Sequence, residues 1–583
     1  MLHTLTRSLR ENKGPALVTV LLSALEVVFE IVIPLFMSNL IDFGIEGGSM
    51  AAVWKFGAFL LLLAAFQLAT GVLAARIAAR ASVGFAANLR EDMYNNVQTF
   101  AFSNIDKFST ASIVTRLTTD TTNVQNAFQM LMRMAIRSPV MLIFSMIVSF
   151  RISRDISMTF LVILPILALA LFFIIRSVFP VFSRVFRTYD ELNNVVQENV
   201  RGIRVVKSFN QERHEIGKFG AISERIYKDF SKGERLITLN APLMQFCIYT
   251  CMIVISWLGA KAIIASGNDP ALGLTTGNLT ALITYAMQIL SSLMMLSMVF
   301  AMLTISLSSA RRIAEVLEER SDIPQPPQPV MTVRDGAVDF DHVSFVYASK
   351  ADKKVLDDID LHIRSGETIG IIGGTGASKS SLVQLIPRLY DVTGGKLTLG
   401  GVDVRDYDLD TLRGAVAMVL QKNELFSGTI AENLRWGNEN ATDEQLRHAC
   451  KLACADGFIS AMPDGYDTHI EQGGTNVSGG QKQRLCIARA LLKKPKVLIL
   501  DDSTSAVDTR TDAQIQQALS TYIPDTTKII IAQRISSVQN ADRIVVLDDG
   551  HIDAVGSHDE LLRTCEIYRE VYESQQKGGE DDA

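Results

Sequence analysis

Long apolar segments dominate the chain up to about Thr304, and a mixed polar and apolar pattern follows. Each segment reaches the roughly 20 residues that a helix needs to cross the hydrocarbon core of a bilayer. The segments lie near Ala16–Phe43, Trp54–Ile77, Met130–Phe150, Met158–Phe179, Pro242–Ala265 and Leu279–Ile305. The pattern therefore predicts six membrane-spanning helices.

The distribution of basic residues predicts the orientation of these spans. The N-terminal segment is basic, as are the connections Arg76–Arg133 and Arg176–Arg235, whereas Phe43–Ala52 and Ser266–Asn278 contain no Lys or Arg. Because basic connections stay in the cytosol, both termini are predicted to be cytoplasmic and the protein to lie in the cell membrane.

The two basic connections are much longer than turns. Ala78–Gln129 and Val181–Asn240 contain few helix breakers, so they are predicted to be helices that continue out of the bilayer. Asn104–Phe108 and Ser208–Glu212 are predicted to be polar elbows where these helices reverse. Ordinary surface turns are an equally good interpretation of these two stretches.

Beyond the last span, a charged helix is predicted over Ala310–Arg320, and Pro324–Pro329 forms a stiff linker. Alternating strand patterns begin near Thr332, with Val338–Tyr347 as the first. The predicted organisation is a membrane domain at 1–322, a linker at 323–331, a soluble α/β domain at 332–575 and an acidic, solvated tail at 576–583.

Composition excludes several other classes of protein. The net charge of −6 on 583 residues gives no case for nucleic-acid binding. Six scattered cysteines, including the pairs Cys247/Cys251 and Cys450/Cys454, are best interpreted as buried small hydrophobes rather than disulfides or metal ligands. No cleavable signal peptide is predicted, because the first apolar run is long enough to span.

A glycine-rich stretch follows the short apolar run Thr368–Ile372 and precedes a helical pattern. Strand, glycine loop, Lys-Ser and helix together are typical of nucleotide phosphate binding, since loop N–H groups and the helix start face the anion. The stretch comprises Gly373, Gly374, Thr375, Gly376, Ala377, Ser378, Lys379, Ser380 and Ser381. Lys379 is predicted to reach the terminal phosphates and Ser380 to join a Mg²⁺ shell.

This stretch departs from the G-x-x-x-x-G-K-[ST] pattern at one position. Ser378 stands where the second glycine belongs, and it is strained if that position needs a positive φ. The alternative interpretation is an ordinary glycine turn between a strand and a helix.

Two further stretches point to the same chemistry. The apolar strand Val497–Leu500 ends in Asp501 and Asp502, and an open α/β sheet places catalytic groups at such strand ends. Asp501 offers the hard oxygen ligand that Mg²⁺ prefers. A second anion-binding helix start is predicted from Val477, Ser478, Gly479, Gly480 and Gln481.

Together these motifs resemble an exporter half-transporter of the ATP-binding cassette (ABC) family, with six spans fused to one α/β P-loop nucleotide-binding domain, over nearly the whole chain. The resemblance implies that ATP and Mg²⁺ bind between two such domains, each ATP held by one phosphate loop and the other domain's signature. The resemblance also implies the role of each site residue. Tyr347 would stack on adenine, Asp501 would bind Mg²⁺, and Gln421 would sense Mg²⁺ and contact the elbows of the membrane domain. Ser478–Gly480 would be the signature that contacts the γ-phosphate of the opposing domain's ATP, and Ser505–Asp508 would be the loop that crosses between the two nucleotide-binding domains.

The departures from the family pattern concern catalysis. Active members carry glutamate where this chain has Asp502 and histidine where it has Gln533. Asp is one methylene shorter, so its carboxylate falls about 1.5 Å short of the attacking water. With Ser378, all three departures affect the site on this chain's own loop and none affects the signature.

This asymmetry predicts a heterodimer with a different half-transporter that carries the glutamate and histidine. The predicted function is ATP-driven export of a small amphiphilic molecule (a drug, lipid or peptide) across the cytoplasmic membrane. A homodimer with two slow sites, an ATP-gated channel or regulatory subunit, and an importer are the alternatives.

Glu26 and Glu30 are candidate substrate residues, because they lie one helical turn apart in the first span. Charge in a membrane helix normally faces a cavity or a partner. A cavity-facing pair would favour cationic amphiphiles. The alternative is a pair near the outer leaflet that is solvated or bonded to Gln or Ser.

Overall fold

The computed structural model describes residues 1–269, 273–347, 354–503 and 506–580. The chain divides into two compact units. The first unit comprises Met1–Gln98 and Thr110–Glu319, and the second comprises Thr99–Ser109 and Arg320–Ala583.

The first unit is helical and confirms the prediction of six spans, because six of its described helices are long and apolar enough to cross a membrane. From the N-terminus to the linker the helices are α1 Leu2–Arg7, α2 Lys13–Asn39, α3 Met50–Gln98, α4 Phe102–Lys107 (in the second unit), α5 Thr110–Thr115, α6 Thr121–Ile152, α7 Arg154–Arg201, α8 Ile203–Ser208, α9 Glu212–Thr238, α10 Asn240–Ser266 and α11 Thr276–Glu318. Two π-helical segments, Leu40–Glu46 and Arg116–Asp120, follow α2 and α5.

The spans continue past the apolar runs as helices, as predicted. α3 has 49 residues and α7 has 48, well beyond the thickness of a bilayer. The charged stretch Ala310–Arg320 is mostly the end of α11 rather than a separate helix. Large apolar side chains such as Leu61 and Ile264 are exposed, which suits contact with lipid.

The first predicted elbow, Asn104–Phe108, is held by hydrogen bonds to other residues of the second unit. Within the second unit, the Asn104 side chain donates to the Arg320 carbonyl oxygen at 3.0 Å. The Tyr390 hydroxyl donates to the Asp106 carboxylate at 2.8 Å, and its ring lies 6.0 Å from that of Phe102. The second elbow is an exposed turn between α8 and α9.

The second unit is an α/β domain around a six-stranded sheet of order β12-β11-β3-β10-β9-β6, beside a four-stranded sheet β2-β1-β4-β5 and a small pair β7-β8. Its strands are β1 Val338–Phe345, β2 Leu356–Ile363, β3 Thr368–Gly373, β4 Gly394–Leu399, β5 Val402–Asp403, β6 Val416–Val419, β7 Gly428–Thr429, β8 His469–Ile470, β9 Val497–Asp501, β10 Thr527–Ile531, β11 Arg543–Asp548 and β12 His551–Gly556.

Strands β11, β3, β10, β9 and β6 run parallel, and β12 adds an antiparallel edge. Their helices are α12 Lys379–Gln384, α13 Leu409–Ala415, α14 Ile430–Arg435, α15 Asp443–Leu452, α16 Asp456–Ser460, α17 Gly479–Leu492, α18 Thr509–Tyr522, α19 His558–Thr564 and α20 Glu566–Glu580. The tail predicted to begin at residue 576 therefore starts inside α20, and its residues 581–583 lie outside the described part of the chain.

The parallel strands are almost continuously apolar and buried on both faces, as in sheets covered by helices on each side. β3 and β9 flank β10, so the phosphate loop after β3 and the acidic pair at the C-terminal end of β9 lie at the same edge of the sheet. This topology brings the predicted nucleotide residues together.

Candidate nucleotide-binding site

The phosphate loop leaves the centre of the sheet at Gly373. A Cβ on Gly373 would lie 2.2 Å from the Leu547 carbonyl oxygen on the neighbouring strand, so only glycine fits there. Gly376 has φ +88°, which glycine adopts readily. The loop then enters α12 at Lys379, with its N–H groups available for an anion.

Ser378 occupies a left-handed backbone conformation, with φ 64° and ψ 21°. The position therefore needs the positive φ that glycine provides, and serine is strained there. A non-glycine residue in this region costs about 1–2 kcal/mol.

Ser378→Gly is expected to raise the stability of the nucleotide-binding unit by about 1 kcal/mol, because relief of strain exceeds the extra entropy of glycine in the unfolded chain. Thermal unfolding of the full chain measures the gain. Ser378→Ala is the matched control, since it removes the hydroxyl but keeps the strain. A gain of equal size in both variants would show that the backbone is not the cause.

The Lys379 ammonium folds back over the loop. It donates to the carbonyl oxygens of Gly373 and Gly374, each at 2.8 Å. Burial lowers the pKa of Lys379, while the nearby carboxylates Asp501 and Asp502 oppose that shift. The cation is thus desolvated at the loop's mouth, where a phosphate group would attract it.

Asp501 is the last residue of β9, and its carboxylate accepts a hydrogen bond from Ser380 at the start of α12. Asp501 is buried, and burial raises its pKa, against a hydrogen bond from Ser380 that lowers it. A carboxylate beside a hydroxyl suits Mg²⁺, which prefers hard oxygen ligands and keeps several from phosphates and water. No cluster of three or more His, Cys, Asp or Glu side chains that could hold a metal occurs among the described residues.

The two catalytic departures contact each other. The Gln533 side-chain amide donates to the Asp502 carboxylate at 2.8 Å. Burial raises the pKa of Asp502, and hydrogen bonds from Gln421 and Gln533 oppose that shift. The carboxylate is therefore held by two amide side chains, an arrangement that sequence analysis did not foresee.

Tyr347 presents a half-exposed ring beside the loop. Its hydroxyl lies 2.7 Å from the Ser381 hydroxyl. Its ring meets those of Phe345 and Tyr390 edge-on, at 4.8 and 5.1 Å. These contacts orient the ring, and 45% of the residue remains exposed. Tyr390 was missed in the sequence, because no motif spacing marks it.

The signature opens α17, and its helix start is intact. Ser478 and Gln481 form a reciprocal capping box, in which the Ser478 N–H donates to Gln481 at 2.9 Å. Ser478 and Gly479 are exposed, whereas Val477 and Gly480 are half-buried.

The two signature glycines differ in the space around them. A Cβ on Gly479 would make only an ordinary contact, 3.6 Å from the Cβ of Ala506, whereas a Cβ on Gly480 would lie 2.8 Å from the Ala506 carbonyl oxygen. Gly480 is therefore the residue that this chain's own packing constrains.

No hydrogen bond or ion pair joins the signature to the phosphate loop in the described part of the chain. In the crossing loop, Asp508 caps α18 through the Thr511 N–H at 2.9 Å, which lowers the pKa of Asp508. Ser505 of that loop lies outside the described residues. The exposed signature is thus open to another molecule.

The membrane carboxylates have a partner that the sequence did not reveal. Arg137 on α6 donates to Glu26 at 3.1 Å and to Glu30 at 2.6 Å. The three side chains sum to one negative formal charge. The sequence-based alternative of a pair bonded to Gln or Ser did not include this arginine on the third span, and the prediction that the two glutamates contact substrate stays a prediction.

Residues 16–294 match the family "ABC transporter transmembrane region", and residues 356–505 match the family "ABC transporter". An uncharacterized ABC transporter ATP-binding protein, YfiB of Bacillus subtilis, is 35% identical over 96% of both chains. An uncharacterized ABC transporter ATP-binding protein of Mycobacterium tuberculosis, Rv1273c, is 33% identical over 99% of this chain and 98% of its own. The fold is similar to that of a bacterial Atm1-family ABC exporter with ATP bound, with a TM-score of 0.80, 24% identity, and coverage of 97% of this chain and 98% of the other.

Proposed function

The chain belongs to the ABC transporter family, and from that premise we propose that it exports a small amphiphilic molecule as one half of a heterodimer. It is a multi-pass membrane protein and an ATPase coupled to transport, with an exporter-type fold. Four features go beyond membership of the family: outward transport, an amphiphilic substrate, a partner chain of different sequence, and a slow ATP site on this chain. It also places both termini in the cytoplasm, in line with the basic connections between the spans.

The observation that carries the proposal of a slow site is the contact between Gln533 and Asp502. A general base must reach the proton that it abstracts, and a shortfall of about 1 Å can cost a hundredfold in rate. The Asp502 side chain is one methylene shorter than that of glutamate, and its carboxylate accepts a hydrogen bond from the Gln533 amide at 2.8 Å. Gln533 cannot become cationic beside a phosphate, as a histidine could.

The intact signature supports a different partner. Drift in a protein that had lost ATP hydrolysis would damage the signature as readily as the catalytic residues. Here Ser478 and Gln481 keep their capping box, and Gly479 is exposed. We therefore assign the signature to a competent site on the partner's phosphate loop.

On this chain, the loop N–H groups and Lys379 would hold the ATP phosphates, with Tyr347 against the adenine. Ser380, Asp501 and Gln421 would hold Mg²⁺ with the phosphate oxygens. When bound, the ion neutralises charge that develops on the phosphates.

Accumulation of a labelled amphiphile in inside-out vesicles tests the function. An exporter should concentrate the compound inside when ATP is added and should stop when Gly479 is replaced by Asp, because that change blocks the site completed by this chain's signature. ATP-dependent flux without accumulation would favour the channel alternative. Accumulation only in right-side-out vesicles loaded with ATP would favour an importer.

Double neutralisation, Glu26→Gln with Glu30→Gln, is expected to slow transport of cationic amphiphiles several-fold more than that of neutral ones. The change removes two negative charges and leaves Arg137 without its partners, so the local charge changes from −1 to +1. Initial uptake rates for a matched cationic and neutral pair measure the effect. Equal rates for both classes, before and after the change, would remove these glutamates from the substrate path.

A further inference from the structure

α6 carries a groove of about 200 Å³ close to the cytosolic end of the third span. The groove is lined by Asn126, Gln129, Met130, Arg133 and Met134. These positions recur at helical spacing, so they form one stripe on the helix. Two methionines give an adaptable apolar surface, and the other three side chains give a polar one.

Arg133 is the unusual member of this stripe. It is half-buried and has no ion pair or hydrogen bond with any residue in the described ranges. It lies three residues inside the predicted span Met130–Phe150, which is about 4.5 Å along the helix. Arginines within membrane spans mark substrate or ion paths when they face the bundle interior, and one this close to the span end can reach the head-group region with its long side chain.

The next arginine on the same stripe differs from Arg133, because its charge is paired. Arg137, one turn further into the span, is held by Glu26 and Glu30. Both carboxylates are therefore already engaged by Arg137. Arg133 is left with a free guanidinium, a group whose planar set of donors suits phosphate and carboxylate.

Resting on the proposed export function, we infer that this groove binds the anionic group in the head group of the transported amphiphile, one helical turn from the Glu26 and Glu30 pair that would take a cationic group of the same molecule. Arg133 takes the phosphate or carboxylate, Asn126 and Gln129 border the head group, and Met130 and Met134 contact the start of the apolar tail. The depth suits a molecule that enters from the inner leaflet, where its head group already lies at the membrane surface.

Equilibrium binding of dodecyl phosphate to the assembled complex in phosphatidylcholine nanodiscs tests the inference. Dodecyltrimethylammonium, with the same tail, is the matched probe. Arg133→Gln should weaken dodecyl phosphate about tenfold and leave the ammonium probe within about twofold, because one charge-assisted hydrogen-bonding partner is lost. Arg133→Lys should keep most of the affinity, and Arg80→Gln, at an exposed arginine on α3, should change neither probe.

Other results would overturn the inference. Equal weakening of both probes, or no change in either, would remove Arg133 from head-group binding. If phosphatidylglycerol competes with dodecyl phosphate for binding and ATP drives no accumulation of dodecyl phosphate, the groove is instead the binding site of a resident lipid. Failure of Arg133→Gln to assemble with the partner would make it a subunit contact.

Transport in proteoliposomes separates this inference from the function on which it rests. If both probes accumulate and Arg133→Gln changes neither rate, only the inference fails. If dodecyl phosphate binds through Arg133 but ATP drives no accumulation of any amphiphile, the export function fails and the binding site stands.

Discussion

Gly479→Asp is expected to reduce steady-state ATP hydrolysis by the assembled complex roughly a hundredfold or more. The new side chain fits within this chain, because a Cβ there lies 3.6 Å from the Cβ of Ala506. An aspartate at a helix N-terminus is also compatible with α17. The carboxylate would, however, face the γ-phosphate of the partner-held ATP, and repulsion of like charges costs several kcal/mol.

Two variants isolate the charge. Gly479→Ala adds only the Cβ and should keep most of the activity, and Gly479→Asn matches aspartate in shape without its charge. ATP should still bind at Lys379 in all three. If Gly479→Ala is as damaging as Gly479→Asp, then steric exclusion rather than charge governs this position.

The chain purified without its partner is expected to hydrolyse ATP very slowly, on the order of a hundredfold below the complex. Every site in such a homodimer would contain Asp502 and Gln533. Asp502→Glu should restore activity only in part, because Gln533 remains. Asp502→Glu combined with Gln533→His should restore more than either change alone, since the two side chains are in contact.

Measurement of phosphate release by the purified chain decides this point. Brisk turnover by the unmodified homodimer would contradict the slow-site interpretation. In the repaired double variant, Lys379→Ala should abolish the gain, which excludes a contaminating ATPase.

The sequence predicted those features that depend on local pattern. Six apolar runs predicted six spans, because backbone burial in lipid requires a long helix. The phosphate loop was found from its spacing between strand and helix. The strain at Ser378 was foreseen only as a condition, and the positive φ at that residue decided it.

Features that depend on distant residues were not predicted. Arg137 is more than one hundred positions from the glutamates that it pairs with, and nothing in the local pattern links them. The Tyr390 contact with Asp106 likewise joins two stretches 284 residues apart. For the same reason, the space around Gly479, where a Cβ would lie 3.6 Å from the Cβ of Ala506, could not be judged from the sequence.

Steady-state ATPase of Asp502→Asn and Gly479→Asp, measured side by side in the assembled complex, tests the central claim most directly. The claim is that productive hydrolysis occurs where this chain supplies the signature and the partner supplies the phosphate loop. Asp502→Asn should then keep most of the activity, whereas Gly479→Asp should lose nearly all of it. If Asp502→Asn proves the more damaging, the active site lies on this chain's own loop and the assignment is reversed.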